Sequence, residues 1–89
     1  MEYSTHTTIV NKYGLHARPA AEFVKLANRF VADVWVSKED VEVSGKSIMG
    51  VMMLAAECGA SIHIRAEGED AEAAVGALVE LIASRFGEE

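Results

Sequence analysis

Gly14-Leu15-His16-Ala17-Arg18-Pro19-Ala20 is the stretch from which the rest of the chain can be read. It follows the β-branched run Thr7-Thr8-Ile9-Val10, a short first strand, and the turn Asn11-Lys12-Tyr13-Gly14. It opens onto Ala20, Phe23, Val24 and Ala27 at helical spacing, with Glu22, Lys25 and Arg29 on the opposite side. Gly14 permits a tight, unusual backbone turn. Pro19 marks a helix start, where its missing N–H belongs to the amides that have no intrahelical partner. A strand therefore hands over to a helix here. The boundary admits two placements: His16 at the helix start, or Arg18, because the residue before a proline avoids the α region.

Beyond this helix, Ala32-Asp33-Val34-Trp35-Val36 and Val41-Glu42-Val43 alternate apolar with other residues. The polar Ser37-Lys38-Glu39-Asp40 between them predicts a hairpin. Ser44-Gly45-Lys46-Ser47 is a turn feeding a short apolar helix from Ile48 to Ala56, with Gly59 as its stop. Ser61-Ile62-His63-Ile64-Arg65-Ala66-Glu67 alternates again and reads as a fourth strand. After Gly68-Glu69-Asp70, one apolar stripe of Val75, Leu78, Val79, Ile82 and Phe86 predicts the clearest helix, with acids near its start to suit the dipole. The order β-α-β-β-α-β-α predicts an open-faced two-layer α/β sandwich, its helices covering one side of an antiparallel sheet.

The chain has 89 residues, which make one domain spanning 1–89 with a single compact core and no deep interdomain cleft. Active chemistry would therefore sit on the surface. Fourteen acidic residues against eight basic ones give a net charge of −6, which argues against a nucleic-acid partner. One cysteine, Cys58, excludes an internal disulfide, and no Cys/His cluster has zinc spacing, so neither a metal nor another cofactor is expected. No apolar run reaches the roughly eighteen residues that span a bilayer. Met1-Glu2-Tyr3-Ser4-Thr5-His6 lacks a basic and an apolar leader region. A soluble, cytoplasmic protein is expected, without membrane insertion.

Of the three histidines, His6 and His63 read as solvent-facing strand residues. His16 differs in its surroundings. At the positive end of a helix, a neutral imidazole offers a nucleophilic lone pair, and the backbone N–H groups of Ala17 and Arg18 can bind an anion. Arg18 can present a bidentate fork to phosphate oxygens, which a lysine could not reproduce. Phosphoryl transfer asks mainly for positioning and charge stabilisation. From chemistry alone, a phosphohistidine site stands beside a plainer possibility, in which His16 caps the helix and Arg18 is a solvated charge. Ser47 likewise suits an N-cap and needs nothing more to explain it.

Gly14 to Ala20 resembles the active-site signature of the HPr family, the histidine-containing phosphocarriers of the bacterial phosphoenolpyruvate-dependent phosphotransferase system. Gly45-Lys46-Ser47-Ile48-Met49-Gly50-Val51-Met52 resembles the family's second signature, around its regulatory serine. The resemblance extends over essentially the whole chain. It implies an α+β, HPr-like open-faced β-sandwich, with a four-stranded antiparallel sheet and three helices packed on one face. It also implies a monomeric carrier rather than an enzyme. His16 would be phosphorylated on Nδ1, Arg18 would contact the phosphate, and Ser47 would be the target of an HPr kinase/phosphorylase. The implied partners are enzyme I as donor and an enzyme IIA-type acceptor, in a sugar-uptake or nitrogen-related regulatory branch.

Methionines usually fill cores, and some of those around Ser47 are expected to do so. Flexible thioethers also suit surfaces that dock several partners, and Ile48, Met49 and Met52 are expected to face outward beside His16. Met53, Ala55 and Ala56 depart from the commoner serine- and glycine-containing versions of this motif. Trp35 reads as a sheet-face or packing residue, and Glu67, Glu69, Asp70 and Glu72 as a turn plus acids at a helix start. Two other functional classes remain open: a regulatory binding module controlled through Ser47 with His16 silent, and a hydrolase of small phosphates.

Overall fold

A computed structural model describes residues 1–88. Its elements are β1 (Glu2–Thr8), α1 (Ala17–Ala27), β2 (Asp33–Lys38), β3 (Val41–Ser44), α2 (Ile48–Met53), β4 (Ser61–Glu67) and α3 (Ala71–Ala83), followed by a 3-10 turn at Arg85–Gly87. One sheet runs in the order β1-β4-β2-β3, with every neighbour antiparallel. The period-two alternation of β2 and β4 decides which face is buried. Val34 and Val36 lie opposite Ala66 and Ile64. Together with Ile62 they turn toward the helices and are buried. From the helix layer, Phe23, Val24 and Ala27 of α1 and Val75, Leu78 and Ile82 of α3 close the core over them. The other sheet face stays open. There the Arg65 guanidinium lies 4.0 Å from the centre of the Trp35 ring and pairs with Glu2 and Glu42.

Several element boundaries differ from the sequence expectation. β2 starts at Asp33 and runs on through Ser37 and Lys38, so only Glu39 and Asp40 form the hairpin turn. The first strand occupies Glu2–Thr8 instead of Thr7–Val10. Its polar sequence hides it, because β1 is an edge strand whose inward positions, Thr5 and Thr7, are only half-buried. Ile9 leaves the ladder for the core, bonding Ala60 and Gly59 of the turn before β4 through its own N–H and C=O (2.9 and 2.7 Å). The second helix stops at Met53 rather than Ala56. Lys38 Nζ draws the Leu54 and Ala55 carbonyls at 3.3 and 3.2 Å, and Ala55 adopts φ 49°, outside the helical region. The last helix ends at Ala83, so Phe86 does not continue its stripe. Arg85 and Phe86 both take positive φ, and this reversal returns the Phe86 ring to the core.

Asp70 stands before α3 but does not cap it. Its carboxylate instead accepts from the Val31 and Ala32 N–H groups at 2.9 and 2.8 Å, tying the loop after α1 to the start of α3. These bonds, led by that from Val31, hold the carboxyl below its ordinary pKa. A carboxylate with a depressed folded pKa stabilises fully above its unfolded pKa and loses that contribution as pH falls through the folded one. Asp70→Asn is therefore less stable than the parent at neutral pH, with the difference closing in acid. Urea unfolding followed from neutral into acidic pH checks this, and a pH-independent difference contradicts it.

Candidate functional site

The loop before α1 is held from two sides. Gly14 has φ 69°, and a side chain there would strike the Ala56 carbonyl and come within 2.8 Å of Glu57 Cα. That close approach lets the Leu15 N–H donate to the Ala56 carbonyl at 2.8 Å. From the inside, the fully buried Asn11 donates through Nδ2 to the Gly14 carbonyl at 2.8 Å. With Leu15 buried behind it, His16 is left as the N-cap of α1 with extended backbone (φ −77°, ψ −172°). The first helical bond runs from the Ala20 N–H to the His16 carbonyl at 2.9 Å. Arg18 is therefore inside the first turn and is not its boundary. Packing of Pro19 and Ala20 in the core outweighs the bias against helix before proline. The Ala17 and Arg18 N–H groups precede the first helical bond and have no acceptor within the helix.

The His16 side chain makes no capping hydrogen bond. Its Nε2 lies 3.1 Å from Glu88 Oε2, and Arg18 Nη2 donates to the same oxygen at 3.0 Å. Asn11 Nδ2 donates to the other carboxylate oxygen at 3.1 Å. Three nitrogens from two ends of one loop and helix thus converge on a single anion. Burial of Glu88 works to raise its pKa, but the Asn11 hydrogen bond and the nearby His16 and Arg18 outweigh it and hold the carboxyl below its usual range. Lys12 and Tyr13 complete the hollow, with the Tyr13 ring edge-on to the imidazole at 6.1 Å. The Glu88 carboxylate shows that His16, Arg18 and Asn11 can hold an anion beside the start of α1.

Ser47 caps α2, its hydroxyl oxygen accepting from the Gly50 N–H at 3.1 Å. Ile48, Met49 and Met52 are exposed, and so is Met53. The expectation that some of these methionines fill the core is corrected: none does. In so short a helix the inward side is taken by Val51, and Gly50 sits against Val43. α2 packs on α1, yet none of Ile48, Met49 and Met52 lines the hollow around His16. Asn11 and Glu88 are the site residues that sequence reasoning missed. Asn11 read as a turn former, and the 77 positions separating it from Glu88 hide their contact. Cys58 is exposed. Among the described residues, no group of three or more His, Cys, Asp or Glu is placed to hold a metal, and no helix is long and apolar enough to cross a membrane.

A family model described as "PTS HPr component phosphorylation site" matches residues 3–84. The phosphocarrier protein HPr of Cupriavidus necator is 51% identical over 82 residues, covering 92% of this chain and 92% of that protein. The Pseudomonas aeruginosa phosphocarrier protein HPr is 54% identical over 82 residues, covering 91% of each. Among solved structures, HPr-C-His from Thermoanaerobacter tengcongensis superposes with a TM-score of 0.94 at 49% identity, covering 98% of both chains.

The depressed pKa of Glu88 has a direct consequence. In Arg18→Gln the carboxyl loses one of its cations, so its titration midpoint rises toward the ordinary glutamate value. Site-resolved carboxyl NMR reads that midpoint, and an unshifted value contradicts the pairing. By the same linkage, the stabilisation from Glu88 is complete above the unfolded glutamate pKa and lost as pH falls through the depressed one.

Proposed function

The chain belongs to the HPr family of phosphocarrier proteins, and from that premise we propose that His16 accepts a phosphoryl group from phosphoenolpyruvate-charged enzyme I and hands it to an enzyme IIA-type acceptor. The observation that carries this reading is the convergence of His16, Arg18 and Asn11 on one carboxylate beside an imidazole that does not cap its helix. An ionised carboxylate only accepts hydrogen bonds, so the ring nitrogen facing it, Nε2, carries the proton. In a neutral imidazole the lone pair then lies on Nδ1. Nδ1 attacks phosphorus while the bond from phosphorus to the donor breaks, its electron pair leaving with the donor. The phosphoryl group arrives on Nδ1, across the ring from Glu88. Arg18 turns its guanidinium from Glu88 to the phosphoryl oxygens, while Glu88, held by Asn11, keeps the Nε2 proton in place. The Ala17 and Arg18 N–H groups and the positive end of α1 add to the charge stabilisation. Transfer onward breaks the P–N bond and restores the imidazole, so the chain is a carrier rather than an enzyme with its own turnover.

In this reading the relay works in the cytoplasm on a monomer. Exposed Ile48, Met49 and Met52 form the docking surface for successive partners, in sugar uptake or a nitrogen-related regulatory branch. Phosphorylation of Ser47 by an HPr kinase/phosphorylase places charge at this surface. The group suits the start of α2, so the fold survives while docking weakens.

Incubation with phosphoenolpyruvate and a competent enzyme I gives an acid-labile phosphate that His16→Ala abolishes. Arg18→Lys slows its formation about 10- to 100-fold, as expected from replacing a hydrogen bond to a charged group. Labelling that persists in His16→Ala would defeat the carrier reading. For Ser47, intact mass after treatment with ATP and a cognate kinase shows one added phosphate, and enzyme I docking weakens at least about tenfold. Unchanged docking of the modified chain sinks the inhibitory role.

A further inference from the structure

His6 and His63 lie far apart in sequence but are direct cross-strand partners on β1 and β4. Both project from the open face of the sheet, where the ring centroids stand 4.5 Å apart and the planes are inclined at 38°. His6 is exposed and His63 half-buried. They line a depression of about 440 Å³ together with Ser37, Glu39 and Ser61, and it shares no residue with the hollow around His16. Arg65, on the same face of β4, is already paired with Glu2 and Glu42, while the Glu39 carboxylate adds negative character.

We propose that the His6–His63 pair is a two-histidine site for a divalent borderline transition-metal ion of the Zn2+, Ni2+ or Cu2+ class. Imidazole suits these ions, and the Irving–Williams order places them at the tight end of the divalent series. Two metal–nitrogen bonds of about 2.1 Å meeting near the tetrahedral angle span about 3.4 Å between nitrogens. From ring centroids at 4.5 Å, rotation of the side chains brings one nitrogen of each ring to that separation without moving either strand. Among the described residues no third protein ligand is in place, so water completes the shell and Glu39 lends charge from its edge. The ion joins the edge strand β1 to β4, so it stabilises the fold by closing a contact between residues that the unfolded chain holds far apart.

Titration of the full chain with Zn2+ alone tests this, followed through assigned imidazole resonances and by calorimetry. The His6 and His63 signals should move together and saturate at one ion per chain, with EDTA reversing the change. Affinity should weaken at least about tenfold in both His6→Gln and His63→Gln, and Zn2+ should raise Tm in the parent only. If His63→Gln fails to fold by circular dichroism, the exposed His6→Gln decides alone. Binding that perturbs only His16, or an affinity unchanged in His6→Gln, overturns the site.

Discussion

The structure turns on a backbone contact at Gly14 that leaves no room for a side chain. The carbonyl of Ala56 lies where a Cβ would be, and the positive φ of Gly14 turns the chain so that the next amide, Leu15, donates to that same carbonyl. This contact joins the turn after α2 to the loop before α1. It sets Leu15 into the core and leaves His16 as the N-cap of a helix whose dipole and free amides face solvent. An alanine at position 14 would meet both a steric wall and an unfavourable φ, and the loop would have to move away, taking His16 with it.

The site depends as much on electrostatics as on this turn. Asn11 is fully buried, and its Nδ2 serves two acceptors, the Gly14 carbonyl and Glu88, while its Oδ1 has no protein partner. Because both neighbours accept, the amide orientation is determined by its donor end. A buried side chain with one unmet acceptor is tolerated where the donor end does two tasks: bracing the loop and meeting an anion. Glu88 then satisfies the anion site from within the chain, and the same interaction assigns the proton on His16. The hollow is small and lies on the surface, as suits a group passed between proteins.

Where a structural feature is carried by local periodicity, the sequence was enough. The alternation of Ser61–Glu67 matches β4 residue for residue, and the apolar spacing of Ala20, Phe23, Val24 and Ala27 matches the buried side of α1. The Ser47 cap was legible because its partner amide, Gly50, is three residues away. β1 was misplaced because an edge strand with threonines at its inward positions shows no apolar alternation. The end of α2 depends on a lysine from β2, and the placement of Phe86 on two left-handed residues, neither of which a periodicity can register. For the site, His16 and Arg18 were visible as neighbours. Asn11 and Glu88 were not, since only the finished fold brings the two ends of the chain together.

The most direct measurement is 15N NMR of the His16 imidazole before and after phosphorylation by enzyme I. With Glu88 holding Nε2, the unmodified ring should show its proton on Nε2, and the modified ring should show 31P–15N coupling at Nδ1. Coupling at Nε2, or a phosphorylated ring belonging to His6 or His63, would contradict the role assigned to the loop, Glu88 and His16 together.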